Sequence, residues 1–338
     1  AYLRGWDPAL AMAGTQIMED AMSYNFSVIP LFILMGVFIY RADISRDLYD
    51  AAYIALGQLR GGLALSTVVA CAGFSAVCGS SIATAATMTK VAMPPMRRYN
   101  YSDSLATGTI AAGGTLGIMI PPSVPLVIYG IVAEQDIGQL FIAGVVPGLL
   151  LVTLFLVAVA ITVRVFPDTG PAGVPLPDER KKQALKSVWP VVALFIVVLG
   201  GIYGGIFTPT EAAGIGAFGA AVISWLRGHL RKVSEWKYCL VEAAKTTAQL
   251  FIAIFGALVF AQFINLSGMP YDILDAIDEW NLSPWQLVMV VAGIAALDIG
   301  QHADGPDQVL VDRVVVIHVE LHHRHDLAEF RHEAAENA

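Results

Sequence analysis

The sequence predicts an all-α, polytopic membrane protein with broken transmembrane helices, a re-entrant helical hairpin and inverted repeats. Three observations carry that expectation. Of the 338 residues, 56% are hydrophobic and only 14% charged, against about 25% charged in a soluble globular domain, and the mean hydropathy is +0.65. Apolar runs recur from about residue 26 to residue 298, as in a chain that crosses a bilayer repeatedly. Small hydroxyl residues and prolines interrupt two of these runs, at "AVCGSSIATAATMTK" (76–90) and "IPPSVP" (120–125). The net charge of −8 comes largely from the segments before residue 21 and after residue 297. It argues for no acidic soluble partner, and nucleic acid is not expected.

Basic residues in short loops assign the cytoplasmic side. Residues 1–25 form an extracytoplasmic segment, and the first apolar run, Val28 to Tyr40, ends inside at Arg41, Arg46 and Arg60. The next apolar stretch, 61–94, is flanked by basic residues at both ends, with Lys90, Arg97 and Arg98 at the far one. It cannot cross once, and it is short for two crossings of ~20 residues each. A re-entrant hairpin fits, with its tip at "CGSSIATAAT". Irregular backbone at that depth must be buried in protein or line a polar cavity.

Leu105 to Val132 then runs outward to Glu134 and Asp136, and Leu140 to Val163 returns, completing a first repeat over 26–166. Residues 167–187 read as a cytoplasmic linker containing "DERKKQALK". Val188 to Phe207 goes out, "TPTEAAG" (208–214) turns the chain, and the following run returns to Arg227, Arg231, Lys232 and Lys237. Thr246 to Ile264 goes out again, and Pro284 to Leu297 starts back, so 188–298 is an incomplete second repeat. The repeat itself is weak but visible. "FILMGVFIYRADISRDLYDAA" (32–52) resembles "IAIFGALVFAQFINLSGMPYDILDAI" (252–277), with Gly36 matching Gly256. The copies end on opposite sides, as inverted-topology repeats do.

The second hairpin is expected near residue 300, but the chemistry changes after Asp298. Residues 299–338 hold six of the seven histidines and one aromatic residue, Phe330. This aberrant polar tail is expected to be non-native or disordered, as a frameshift or cloning artefact would produce. Its "HVELHHRH" (318–325) could bind a metal only by accident of composition. The chain opens on "AYLRGWDPAL", with no initiator Met and no visible signal peptide, and reads as beginning inside a longer protein. Cys71, Cys78 and Cys239 sit among apolar residues and read as packing residues, not a disulfide framework.

The candidate substrate and ion site is Gly79, Ser80, Ser81, Thr84 and Thr87 in the hairpin, with Pro121, Pro122, Ser123 and Asp298. A broken helix exposes unpaired N–H groups at one half and unpaired C=O groups at the other. The first suits a carboxylate and the second a small cation. Ser and Thr hydroxyls add neutral oxygens for Na⁺, and Na⁺ at Ser80, Ser81 and Asp298 is the only metal expected. Small-residue helix packing is the competing reading of 79–87, and a structural kink that of Pro121–Pro122. Ser123 and the freed carbonyls of Ile118 and Met119 could line a site. Asp298 is an acidic residue at membrane depth, unless it already belongs to the tail. Thr208 or Thr210 is expected to cap a helix with Glu211 in its first turn. The GxxxG patterns at Gly200/Gly204 and Gly201/Gly205 are weak signals for close helix packing.

Enzyme chemistry is not expected. An intramembrane serine protease needs a base beside its serine, yet no histidine precedes His229, which lies in a basic loop. A channel needs no inverted repeats and usually shows filter rings or pore charges. A secondary carrier accounts for the hairpin, the repeats and the scarcity of membrane charge. Another inverted-repeat carrier of ions or organic anions remains the alternative.

"IPLFILMG" (29–36), "GSSIATAATMTKVAMPPM" (79–96), "GTLGIMIPPSVPLVIYG" (114–130), "LFIAGVVPGLL" (140–150) and "TPTEAAGIGAF" (208–218) resemble the large, DctM-type membrane subunit of TRAP (tripartite ATP-independent periplasmic) transporters. The resemblance covers about residues 26–298. It implies an elevator-type permease of the bacterial inner membrane with no cofactor and Na⁺ as coupling ion. Its partners would be a small membrane subunit, a periplasmic substrate-binding protein, an organic acid such as a C4-dicarboxylate, and the lipid bilayer. It also implies that Ser80, Ser81, Thr84, Pro121, Pro122 and Ser123 match segments lining the family's ion and substrate sites. "LDIGQHADG" departs from a family pattern resembling L-D-(S/T)-x-S-M. With elements missing at both ends, the polypeptide as given is expected to be inactive.

Overall fold

The computed structural model describes residues 5–173 and 178–269, with isolated residues between 271 and 293. Asp298, the expected second hairpin and the 299–338 tail lie outside the described residues. Eleven α-helices and short 3₁₀ turns are described, with no strand among them. Residues 1–261 form one compact unit. Of the second, from Gln262, only the end of the last helix and isolated residues are described.

α1 (Trp6–Met22) is followed by a 3₁₀ turn and α2 (Val28–Arg41). Pro30 sits in the first turn of α2, where a missing N–H breaks no helical bond, and Arg41 faces the carbonyl end of its dipole. Asp43, at φ 55°, turns the chain into α3 (Ile44–Leu56). Gly61, at φ 73°, leads into α4 (Gly62–Cys78), and a side chain there would also meet Val163 Cγ1 at 2.8 Å. α5 (Ser81–Arg98) and α6 (Asp103–Thr115) follow, then a 3₁₀ turn over Leu116–Ile118 and a short α7 (Val124–Val132). α8 (Ile137–Val165) is the longest helix of the first half, continuous through Pro147. α9 (Asp178–Tyr203), α10 (Pro209–Leu226) and α11 (Val233–Ser267) complete the described chain.

Among the described residues, four helical segments are long and apolar enough to cross a membrane: Tyr24–Arg41, Ile137–Val165, Lys186–Tyr203 and Val233–Ser267. α4, at 17 residues, is shorter. At 1.5 Å per residue it spans about 25 Å, less than the ~30 Å hydrocarbon core.

Side-chain caps start α6, α8 and α10, whereas Ser27, Asp43 and Ser123 at the starts of α2, α3 and α7 make no such bond. Ser102 accepts from the Leu105 N–H at 3.2 Å, and Asp136 from the Gln139 N–H at 2.7 Å. Thr208 and Glu211 form a full capping box: the Glu211 N–H donates to the Thr208 hydroxyl at 3.3 Å, and the Thr208 N–H to the Glu211 carboxylate at 2.9 Å. Thr208→Ala is expected to cost about 1 kcal/mol, read as a lower unfolding temperature in detergent, with Thr210→Ala as the silent comparison. Equal behaviour of the two variants would reject this cap.

The core forms around α2, α4, α9 and α10. α10 buries a strip of small residues, Ala212, Ala213, Gly216, Ala217, Ala220 and Ala221, which lets α2 and α9 approach closely. Met35 of α2 occupies the place a Gly216 side chain would take, and Leu194 of α9 that of Gly219. By contrast, Gly200 faces open space and Gly205 lies in the turn after α9 at φ 67°. The GxxxG patterns on α9 therefore do not mark a helix crossing among the described residues. Gly36 and Gly256, matched by the repeat, also differ. Gly36 lies against the Cys78 backbone, while Gly256 has nothing within 4 Å.

The loops assigned to the cytoplasm are tied to one another. The Gly61 N–H donates to the Gly170 carbonyl at 2.9 Å, and the Ser102 N–H to the Thr169 carbonyl at 3.0 Å. The Tyr101 hydroxyl accepts from the Leu63 N–H at 3.2 Å and donates to the Pro171 carbonyl at 2.7 Å.

Candidate substrate and ion site at two helix breaks

The segment "CGSSIATAAT" is not irregular throughout. The break is two residues long: Gly79 ends α4 at φ 62°, and Ser80, in extended backbone, is the N-cap of α5. Glycine takes that left-handed conformation without strain, and serine is among the best N-caps. The Ser80 hydroxyl accepts weakly from the Ala83 N–H at 3.4 Å. The Ser80 carbonyl accepts from both the N–H and the hydroxyl of Thr84, at 3.1 and 2.7 Å. The carbonyl end of α4 and the N–H end of α5 thus meet at Gly79–Ser80, which places opposite partial charges at one point.

The second break sits against the first. Between the 3₁₀ turn after α6 and α7, residues Met119 to Ser123 are non-helical, with a cis bond between Pro121 and Pro122. Pro121, Pro122 and Ser123 are buried. A methyl group on Gly79 would come within 3.3 Å of the Pro122 carbonyl oxygen. One on Gly117 would stand 2.8 Å from the Ser80 carbonyl oxygen and 2.9 Å from the Ser81 nitrogen. On the far side, Gly144 and Gly148 of α8 lie over the Met119 carbonyl and Ile120. Glycines therefore seat both breaks, letting backbone meet backbone without intervening side chains. No charged residue occurs in 76–89 or 114–130, so the polar groups at the junction are neutral.

The structure brings together Gly79, Ser80, Ser81, Pro121, Pro122 and Ser123. Ser123, 0% exposed, donates its hydroxyl to the Ile118 carbonyl at 2.7 Å, so one of the two carbonyls expected to be free is occupied. Thr84 is buried and bonded back to its own helix. Thr87 lies two turns along α5 and lines a separate cleft. Asp298 is outside the described residues.

Two kinds of residue were not foreseen from the sequence. The first are the glycine seats, Gly117, Gly144 and Gly148. The signal for Gly144 and Gly148 was the GxxxG spacing in "AGVVPG", and for Gly117 that in "GGTLG", both outweighed by the more conspicuous pairs on α9. The second is Ser75, one turn before the break. It is 0% exposed, and its hydroxyl has no hydrogen-bond partner among the described residues. An unpaired buried hydroxyl costs about 1–3 kcal/mol, and its signal was a serine four residues before Gly79.

Residues 2–310 match the family model of the DctM component of tripartite ATP-independent periplasmic transporters. The chain belongs to the DctM family. The match continues past Asp298, where the sequence changes character. The C4-dicarboxylate TRAP transporter large permease protein DctM of Pseudomonas aeruginosa is 38% identical, over 82% of this chain and 64% of that protein. The isethionate TRAP transporter permease protein DctMQ of Oleidesulfovibrio alaskensis is 36% identical over 75% and 40%. The ectoine TRAP transporter large permease protein TeaC of Halomonas elongata is 32% identical over 82% and 64%. The chain thus spans less than two thirds of the length of these relatives. A DctM-family chain is a permease component rather than an enzyme, and its place is the bacterial inner membrane.

Proposed function

We propose that this chain is part of the large permease subunit of a Na⁺-coupled secondary importer for an organic acid of the C4-dicarboxylate type. A periplasmic binding protein delivers the acid, and a small membrane subunit completes the complex. α4 and α5 act as a re-entrant hairpin within an elevator-type transport domain. The observation that carries this reading is the seating of the Gly79–Ser80 break against the Pro121–Ser123 break. Two sets of unpaired helix ends, with serine oxygens at both, supply N–H groups for a carboxylate and oxygens for a small cation without burying a fixed charge. Ser80 and Ser81 hold Na⁺, with Asp298 as the expected acidic ligand, and the unpaired Ser75 hydroxyl adds a further oxygen beside the break. Relatives named for C4-dicarboxylate, isethionate and ectoine share a small acid group with different bodies. That range fits a site reading one anionic end.

Ser80→Ala/Ser81→Ala in the full-length permease, reconstituted with its small subunit and binding protein, tests the assignment. Losing oxygens worth about 1.5–3 kcal/mol together is expected to raise the Na⁺ concentration for half-maximal succinate uptake by about tenfold or more. Unchanged uptake at every Na⁺ concentration would remove the site from this break.

A further inference from the structure

Thr87 points to a second feature of α5. Ser80, Thr84, Thr87 and Lys90 are spaced three or four apart and share one helix face. At 1.5 Å per residue, Thr87 lies ~9 Å and Lys90 ~14 Å along the helix from Ser81. Thr87 and Lys90 form one wall of a cleft of about 610 Å³. The end of α2 with the start of α3, and the loop from Gly228 to Lys232 with Glu235 in the first turn of α11, form the others.

The charge of this cleft is one-sided. Arg41, Lys90, Arg231 and Lys232 line it, with His229, against Asp43 and Glu235. Arg41 is already engaged: its Nε donates to Glu235 Oε2 at 2.8 Å, and its guanidinium lies 5.1 Å from the Tyr238 ring centre. Lys90, Arg231 and Lys232 form no ion pair among the described residues. Thr87, only 5% exposed, brings a hydroxyl-bearing side chain to the same wall. Scattered surface lysines are simply solvated, but here three unpaired cations converge on one concavity beside a nearly buried hydroxyl. The field focused in such a concavity raises the local concentration of anions. The basic loops that build the cleft place it at the cytoplasmic end.

We propose that the cleft is a release-side station for a small dicarboxylate, held by Lys90, Arg231 and Lys232 with Thr87 as hydrogen-bond partner, between the helix breaks and the cytoplasm. This rests on the carrier reading above. The acid passes down the hydroxyl face of α5, leaving neutral donors for unpaired cations. Arg41, clamped by Glu235, contributes its charge to the wall without turning its fork to the ligand. An anionic lipid headgroup offers the same chemistry, and the experiment separates the two.

The full-length permease with its small subunit, in lipid nanodiscs without a Na⁺ gradient, is titrated with succinate, with choline chloride at equal ionic strength as control. Succinate is expected to raise the unfolding temperature beyond the chloride response. Lys90→Gln/Arg231→Gln/Lys232→Gln is expected to weaken its apparent affinity at least tenfold, while Lys237→Gln on α11 leaves it unchanged. Thr87→Cys is expected to react with a maleimide several-fold more slowly under saturating succinate, with the adduct located by peptide mass spectrometry. That readout decides the matter if the triple variant does not fold. An unaltered succinate response in the triple variant, or labelling that ignores succinate, overturns the proposal. Labelling slowed by phosphatidylglycerol in the nanodisc but not by succinate overturns it in favour of a headgroup. These measurements need neither Na⁺ nor uptake, so their failure is distinct from an unchanged uptake in the Ser80/Ser81 variant.

Discussion

Gly117→Val is expected to cut Na⁺-driven uptake by the full-length permease at least tenfold and to lower its stability by about 1–3 kcal/mol. The reason is what occupies the space. Even a methyl group at Gly117 would stand 2.8 Å from the carbonyl carbon and oxygen of Ser80. That obstacle is backbone, fixed by the cap of α5 and by Thr84, and not the tip of a flexible side chain. To make room, the Gly79–Ser80 break must move away from Pro122, which disturbs both halves of the candidate site at once. Gly108→Val is the matched comparison. It lies on α6, two helical turns and more before the 3₁₀ turn that holds Gly117, and a side chain there meets nothing within 4 Å. Uptake and thermal unfolding of both variants check the argument, and Gly117→Val behaving like Gly108→Val would refute it.

Arg227→Met is expected to destabilise the same unit by about 2–3 kcal/mol. Arg227 follows α10, and its guanidinium donates to the Asp47 carboxylate of α3 and to the Ser187 carbonyl of α9. It also reaches the Ala42 carbonyl at 3.4 Å. The two charged side chains are only 20% and 24% exposed, so solvent screens them less than an open surface pair. One planar fork thus ties the end of α10 to the first turn of α3, the interior of α9 and the turn after α2. Lysine has a single ammonium and cannot reproduce the fork, so Arg227→Lys should recover only part of the loss. A double-mutant cycle with Asp47→Asn in thermal unfolding measures the coupling. A coupling near zero would mean that the pair is no more than a solvated contact.

The outer Arg97–Asp103 pair makes the contrast. Its side chains are 65% and 68% exposed, and an ion pair in that setting contributes little. The distinction between these pairs is not visible in the sequence, where all four residues belong to similar basic loops.

Much of the protein was determined locally and could be read directly. The scarcity of charge and the length of the apolar runs dictated helices in a membrane, because only a helix or a closed barrel satisfies its backbone there. Gly79–Ser80 and Pro121–Pro122 announced two breaks, because glycine at positive φ, a serine cap and paired prolines act within a few residues of chain. Thr208 and Glu211 announced the start of α10 for the same reason. What the residues could not specify was which break meets which. That depends on contacts between segments some forty positions apart, and the residues that permit it are glycines, whose role is the absence of a side chain. Gly117, Gly144 and Gly148 look like ordinary small residues in a membrane helix until the backbone they admit is in place. Thr87 likewise belonged on paper with Ser81, but helical rise carries it ~9 Å away, to a cleft whose opposite wall comes from residues 228–235. Local chemistry set the elements and their breaks; only the packing of glycine-bearing helices decided which polar groups share a site.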